Sequence, residues 1–281
     1  SLPETFAPLL LRWYAAGHRD LPWRQDREPY HIWLSEIMLQ QTRVEAVRGY
    51  YARFLAELPD IAALAACEEN RLTKLWEGLG YYSRARNLQK AARIITGEYG
   101  GQLPADQKAL MALPGIGDYT AGAILSIAFG VPIPAVDGNV LRILSRFTGS
   151  DLDILDAKNR KIFRTWAAAA LPAERPGAFN QALMDLGSAV CLPGPSPRCG
   201  DCPLAHLCAA RQEGKQAMLP VRTPKREKRR EEMTVFLLRR TDGAVALCRR
   251  PQRGLLAGLW EYPNEPAGGG DLSRWGLHPI A

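Results

Sequence analysis

LPADQKALMALPGIGDYTAGAILSIAFG, residues 103–130, reads as a helix, a tight turn at Pro114-Gly115-Ile116-Gly117, and a second helix. Gly115 and Gly117 leave backbone amides free to face outward where the helix near Tyr119 begins. Such N–H groups at the positive end of a helix dipole suit a phosphate. A plain helix-turn-helix packing unit is the other reading of the same stretch. Outward from it, helical periodicity with Gly or Pro in nearly every gap continues through 29–58, 68–76, 83–99, 139–147, 157–171 and 178–190. The fold class expected is therefore mainly α.

The 281 residues suffice for about two domains, and 47% hydrophobic content supports a real core. A net charge of +7 points to a polyanionic partner. The longest apolar stretch, 121–136, is short of the ~20 residues a span requires and contains two glycines and two prolines, so no membrane partner is expected. The start does not read as a signal peptide, because it lacks a basic region and meets Glu4 before its apolar run. A soluble, cytoplasmic monomer is expected. Residues 211–232, with five basic residues in TPKREKRREE, read as a solvated linker. Beyond it, MTVFLLRR, the turn TDG and AVALCRR signal a β-hairpin, followed by GLLAGLWEYP and a Gly-rich tail, as though a second domain were cut short.

Cys191, Cys199, Cys202 and Cys208 fall in the pattern C-x7-C-x2-C-x5-C. Four thiolates this close can satisfy one tetrahedral zinc or one iron–sulfur cluster. Structural zinc usually takes two C-x2-C pairs, and here Cys199 and Cys202 form a single one, which favours iron–sulfur. Disulfides fit poorly with a reducing compartment.

Two carboxylates stand in opposite surroundings. Glu36, in HIWLSEIMLQQ, has Ile32, Trp33 and Leu39 among its helical neighbours, so its pKa should rise and it can hold a proton as a general acid must. The alternative is a Glu turned to solvent or paired with an Arg. Asp137 precedes the helix GNVLRILSRF, where an N-cap accepts backbone N–H bonds. It could be no more than a cap. Together, a proton-holding Glu and an ionised Asp are what cleavage of a glycosidic bond requires.

LPWR (21–24), WLSEIMLQQTRV (33–44), GLGYYSRARNL (78–88), LPGIGDYTAGAI (113–124), VDGNVLR (136–142), FNQALMDLG (179–187), the cysteine quartet and GLLAGLWEYP (254–263) together resemble the endonuclease III superfamily, and within it the MutY-type adenine DNA glycosylases. The resemblance covers nearly the whole chain. It implies two helical lobes with a helix-hairpin-helix and an iron–sulfur cluster loop: residues 1–24 with 131–210 as the cluster lobe, and 25–130 as the six-helix lobe. Residues 233–281 would be the start of a Nudix-like α+β domain that senses 8-oxoguanine. The implied partner is double-stranded DNA with an A:8-oxoguanine or A:G mismatch. The implied cofactor is a 4Fe-4S cluster on the four cysteines, with a monovalent cation admissible on the hairpin turn. By the same resemblance, Glu36 protonates the flipped adenine and Asp137 stabilises or traps the sugar cation. Tyr119 and Asn139 hold these carboxylates, while Trp23, Arg24, Leu39 and Gln181 form the adenine pocket. Gln41 and Tyr81 wedge into the base stack, and Gly115 and Gly117 meet the DNA backbone. One departure is the first cysteine gap, seven residues here where the family usually has six. The rivals are an endonuclease III-like lyase, disfavoured because Tyr119 stands where lyases carry their Schiff-base lysine, and a DNA-binding protein without catalysis.

Overall fold

The computed structural model describes residues 2–223, 230–251 and 253–267. The chain divides into two compact units, Ser1–Thr223 and Pro224–Ala281. Among the described residues the first unit holds α1 (Phe6–Gly17), α2 (Pro29–Leu39), α3 (Val44–Glu57), α4 (Ile61–Ala66), α5 (Glu69–Trp76), α6 (Ser83–Glu98), α7 (Gln107–Ala112), α8 (Asp118–Ile127), α9 (Gly138–Thr148), α10 (Ala157–Ala170), α11 (Pro176–Asp185) and α12 (Ala209–Gln212). The mainly helical expectation holds. No helix of the described residues is long and apolar enough to cross a membrane.

Residues 29–58 do not form the single helix their periodicity suggests. α2 ends at Leu39, and Gln41 turns left-handed at φ +59° before α3 begins. The Arg84 guanidinium binds the carbonyls of Ile37, Met38 and Gln40 at 3.0, 2.7 and 2.7 Å, so the open end of α2 is satisfied by a distant side chain. Likewise α11 stops at Asp185, and Leu186–Val190 continues as a wider π turn closed by the Cys191 N–H on the Leu186 carbonyl, 2.7 Å. Aspartates start several helices: Asp60, Asp106, Asp137 and Asp156 each accept N–H bonds from the first turn that follows.

Two hydrophobic cores fill this unit. One gathers residues between Leu21 and Ala135, around Trp33, Phe54, Leu64 and Trp76. The other joins α1 to α9, α10 and α11 through Phe6, Leu10, Phe147, Phe163, Phe179 and Leu183, with the Phe6 and Phe147 rings edge-on at 4.8 Å. Within the stretch expected as a linker, residues up to 223 belong to the first unit. Leu219 is buried, and its carbonyl accepts from Arg146 Nε at 2.9 Å. Residues 224–229 of that linker lie outside the described residues.

The second unit shows short antiparallel pairs. β1 (Met233–Val235) pairs with β4 (Asn264–Pro266), and β2 (Cys248–Arg249) with β3 (Trp260–Glu261). The expected hairpin closes only at its tip. Arg239 faces Val245 across the TDG turn, where Asp242 Oδ1 accepts from the Ala244 N–H at 3.0 Å, while Met233–Val235 pair with the far segment instead. The Gly-rich tail from 268 onward lies outside the described residues.

Candidate active site

α2 is buried on nearly every face, and it carries Glu36 into the packing with α8. Glu36 is 6% exposed and accepts a hydrogen bond from the Tyr119 hydroxyl, at the start of α8. Burial pushes its carboxyl up to about 7; the nearby charge of Asp137 adds to the rise, while the Tyr119 bond and the Arg24 guanidinium oppose it. Burial, with the Glu36 and Asp137 charges, drives the Tyr119 phenol well above its ordinary range, so it stays a donor.

Asp137 caps α9. Its Oδ1 accepts the N–H groups of Asn139 and Val140 at 2.8 and 2.9 Å, and its Oδ2 accepts Asn139 Nδ2 at 2.8 Å. Asn139 Oδ1 in turn accepts Arg142 Nη2 at 2.9 Å, and this buried arginine also binds the Gly187 carbonyl at 2.7 Å and the Cys191 carbonyl at 2.9 Å. The extended segment leading to Asp137 lies against α8 at Gly122, where a Cβ would come within 2.7 Å of the Pro134 carbonyl oxygen. Asn180 on α11 fixes the same segment, accepting from the Ala135 N–H at 3.1 Å and donating to the Ile133 carbonyl at 2.9 Å.

Glu36, Tyr119, Asp137 and Asn139 line one cavity of about 370 Å³, together with Trp23, Arg24, Leu39 and Gln181. The eight residues expected to serve catalysis and the base pocket are thus brought together. The Trp23 ring lies edge-on to Tyr51 at 5.4 Å, and Gln181 Oε1 accepts from the Tyr14 hydroxyl at 3.1 Å. The sequence reading missed Asp185. This buried carboxylate takes both arms of Arg24, at 2.7 and 3.0 Å, and Arg19 Nε at 2.8 Å. Burial alone would raise its pKa, and the two guanidiniums outweigh that and hold it low. No local spacing links residues 161 positions apart.

Gln41 and Tyr81 do not line this cavity. Both are exposed and both hold positive φ, +59° and +46°, a conformation costing a residue with a Cβ roughly 1–2 kcal/mol. In the hairpin turn, Gly115 has φ +81°, and a Cβ there would meet Asn87 of α6 at 3.1 Å. Gly117 is instead extended, as the N-cap of α8. Asp118 beside it is paired with Arg164 and accepts from Gln107 Nε2 at 3.1 Å.

Cys191, Cys199, Cys202 and Cys208 border a single cavity with Ile143, Arg146 and Phe147. All four are free thiols, though as placed no group of three or more His, Cys, Asp or Glu among the described residues is close enough to grip a metal ion. Burial pushes Cys202 up to about 11, with a further rise from its three neighbours, so the thiols lie within electrostatic reach of one another. Arg146 Nη1 donates to Cys191 Sγ at 3.5 Å and its Nη2 to the Gly194 carbonyl at 2.7 Å, fixing the first loop of the quartet. Four soft donors around one cavity, without a carboxylate or imidazole among its lining residues, fit a thiolate-bound cluster.

Residues 34–168 match the model of the HhH-GPD superfamily of base excision DNA repair proteins. The chain is similar to the adenine DNA glycosylase of Rattus norvegicus, 38% identical over 92% of this chain and 60% of that one. It is also similar to the adenine DNA glycosylase of Schizosaccharomyces pombe, 34% identical over 92% of this chain and 69% of that one. Among solved structures, a thermostable thymine-DNA glycosylase superposes with a TM-score of 0.69 at 30% identity, covering 75% of this chain and 96% of that one. The chain spans 57–60% of the length of its mammalian relatives.

Proposed function

Because this chain belongs to the adenine DNA glycosylases of the HhH-GPD base excision DNA repair superfamily, we propose that it removes adenine mispaired with 8-oxoguanine or guanine from double-stranded DNA. The observation that carries the reading is a buried Glu36 holding its proton to about pH 7, in one cavity with the Asp137 carboxylate. Duplex chemistry of this kind requires the target base to leave the stack. Gln41 and Tyr81 fill the vacated place, and the hairpin turn at Gly115 and Gly117 grips backbone phosphate.

In the cavity, Trp23, Leu39 and Gln181 hold the adenine. Glu36 gives its proton to N7, the bond between N9 and C1′ breaks with its electron pair going to the base, and the Asp137 carboxylate offsets or bonds the sugar cation. Glu36, now ionised, takes a proton from the water that adds to C1′. Tyr119 and Asn139 keep the two carboxylates in place. Cys191, Cys199, Cys202 and Cys208 would hold the 4Fe-4S cluster, which when bound cross-links the loop 191–208 into one rigid piece. We read the two cores as the two lobes that form the walls of this cavity, 1–24 with 131–210 and 25–130, except that Leu21, Trp23 and Ala135 pack into the core of the second.

The Tyr119 phenol is bound to Glu36 and cannot form an imine, so base removal should proceed without strand cleavage. The test is a duplex carrying A:8-oxoguanine or A:G, treated with the protein and then with or without alkali. Breaks that appear only after alkali, with no borohydride-trapped complex, are expected, and Tyr119→Lys should gain trapping. Strand cleavage or strong trapping by the unaltered chain would favour the lyase instead, and no adenine release at all would leave only DNA binding.

A further inference from the structure

Gln41 and Tyr81 stand on different loops, yet one buried cation ties the two loops together. Arg84, in the first turn of α6 and 7% exposed, donates Nη1 to the carbonyls of Ile37, Met38 and Gln40 at 3.0, 2.7 and 2.7 Å. Its Nη2 donates to Thr42 Oγ1 at 3.1 Å and to the carbonyls of Leu79 and Gly80 at 2.9 and 3.2 Å. Four of these oxygens flank or include the Gln41 turn and two belong to the Tyr81 loop. All six are uncharged. The guanidinium also lies over the Trp76 and Tyr81 rings, 5.3 and 5.6 Å from their centroids, and Trp76 Nε1 donates to the Gly80 carbonyl at 3.1 Å. A buried cation without a carboxylate is costly, and an apolar residue would serve core packing better. What the arginine does that an apolar residue cannot is to hold two turns at a fixed separation, each with a left-handed non-glycine residue 59% exposed at Tyr81 and open to solvent at Gln41.

We propose that Arg84 is a positioning residue that locks Gln41 and Tyr81 into a single two-sided wedge, so that both side chains enter the base stack together. The proposal rests on the wedge reading above. The planar fork of the guanidinium sets the spacing of the two loops, and its charge caps the end of the helix that carries Glu36. The carboxylate of the second loop, Glu77, is exposed and pairs with Lys74 at 2.6 Å, and neither loop carries a cysteine that could join them.

Arg84→Lys keeps the charge and loses the fork. On a duplex in which adenine faces guanine, single-turnover excision should fall roughly 10- to 100-fold, the scale of a misplaced positioning group. On a duplex in which the adenine faces an abasic site, no pairing partner resists displacement, and the loss should stay within about threefold. The fluorescence rise of a 2-aminopurine at the target position, which reports unstacking, should shrink in parallel with the first substrate. Equal losses on both duplexes, or none on either, would overturn the proposal, because a merely structural arginine moves both together. Should Arg84→Lys fail to fold, the exposed positions still decide it. Gln41→Ala, Tyr81→Ala and the double variant are compared for excision from A:G. One wedge predicts a double variant within about twofold of the worse single, whereas multiplied losses would mean two independent devices. If the unaltered chain excises from neither duplex, the glycosylase reading fails. The 2-aminopurine signal of the variants would then still report on the wedge.

Discussion

Glu36 meets two opposing demands, and the pH dependence of its effects separates them. In the folded chain it keeps its proton up to about pH 7, against 4.5 when unfolded. Its folded pKa is raised, so its favourable contribution is complete below pH 4.5 and is lost as pH climbs through 7. The loss is on the order of 3 kcal/mol. Glu36→Gln imitates the protonated form and has no charge to bury. At pH 8 the variant should therefore unfold at a higher temperature than the unaltered chain, and near pH 4.5 the two should converge. Catalysis moves the other way. The same variant cannot donate a proton and should lose at least ~100-fold in single-turnover excision, while excision by the unaltered chain declines as pH rises through 7. A stability gap that does not change with pH would show that Glu36 is not buried as a neutral acid. Asp137→Asn isolates the second carboxylate, since an amide oxygen still caps α9 through the Asn139 and Val140 N–H groups. Excision should again fall at least ~100-fold, while melting temperature drops only by what the lost Asn139 Nδ2 bond to Oδ2 contributes, roughly 1 kcal/mol, and near-normal excision would reduce Asp137 to a helix cap.

Helices carry these residues, and what the sequence says about them divides along a physical line. Local signals were legible. Asp137 before GNVLRILSRF is a cap in the fold, and Pro114-Gly115 is a turn with Gly115 left-handed. The break between α2 and α3 was not legible, because it is imposed from Arg84, more than forty positions along the chain. Nor was the Asp185 clamp on Arg24, which spans 161 positions. α2 is buried almost all round, so it offers no polar face to mark its rotation, and Glu36 stood out there only by being charged. Gly122 is another feature invisible to periodicity. It lets the segment leading to Asp137 rest directly on α8, and a methyl group there would press on the Pro134 carbonyl at 2.7 Å. Backbone cannot step aside as a side-chain tip can, so Gly122→Ala should cost roughly 1–3 kcal/mol in denaturant unfolding. It should also slow excision by shifting Asp137. An unchanged midpoint would mean that the segment yields freely.

Across the whole molecule, the proposed chemistry is confined to the first unit: both cores, the 370 Å³ cavity and all four clustered cysteines lie within Ser1–Thr223. Chain prepared without oxygen should carry about four irons per molecule on those cysteines, and stoichiometric zinc in their place would overturn the cluster assignment. The second unit is of another kind. Its strands are two or three residues long, and Val235, Leu237, Leu247, Leu255 and Trp260 are exposed, so as described it has little core of its own. If it reads 8-oxoguanine on the opposite strand, as the resemblance of GLLAGLWEYP implies, its removal should leave the chemistry in place and weaken discrimination. Residues 1–223 alone should then excise adenine from A:G at a rate close to that of the 281-residue chain. Their preference for A:8-oxoguanine over A:G should be smaller, by the ~1–3 kcal/mol typical of contacts to one base. Both duplexes have to be compared at one salt concentration, because phosphate contacts by a chain of net charge +7 would make its affinity for DNA depend on salt. An undiminished preference in residues 1–223 would place damage recognition in the helical unit, beside the cavity that holds Glu36.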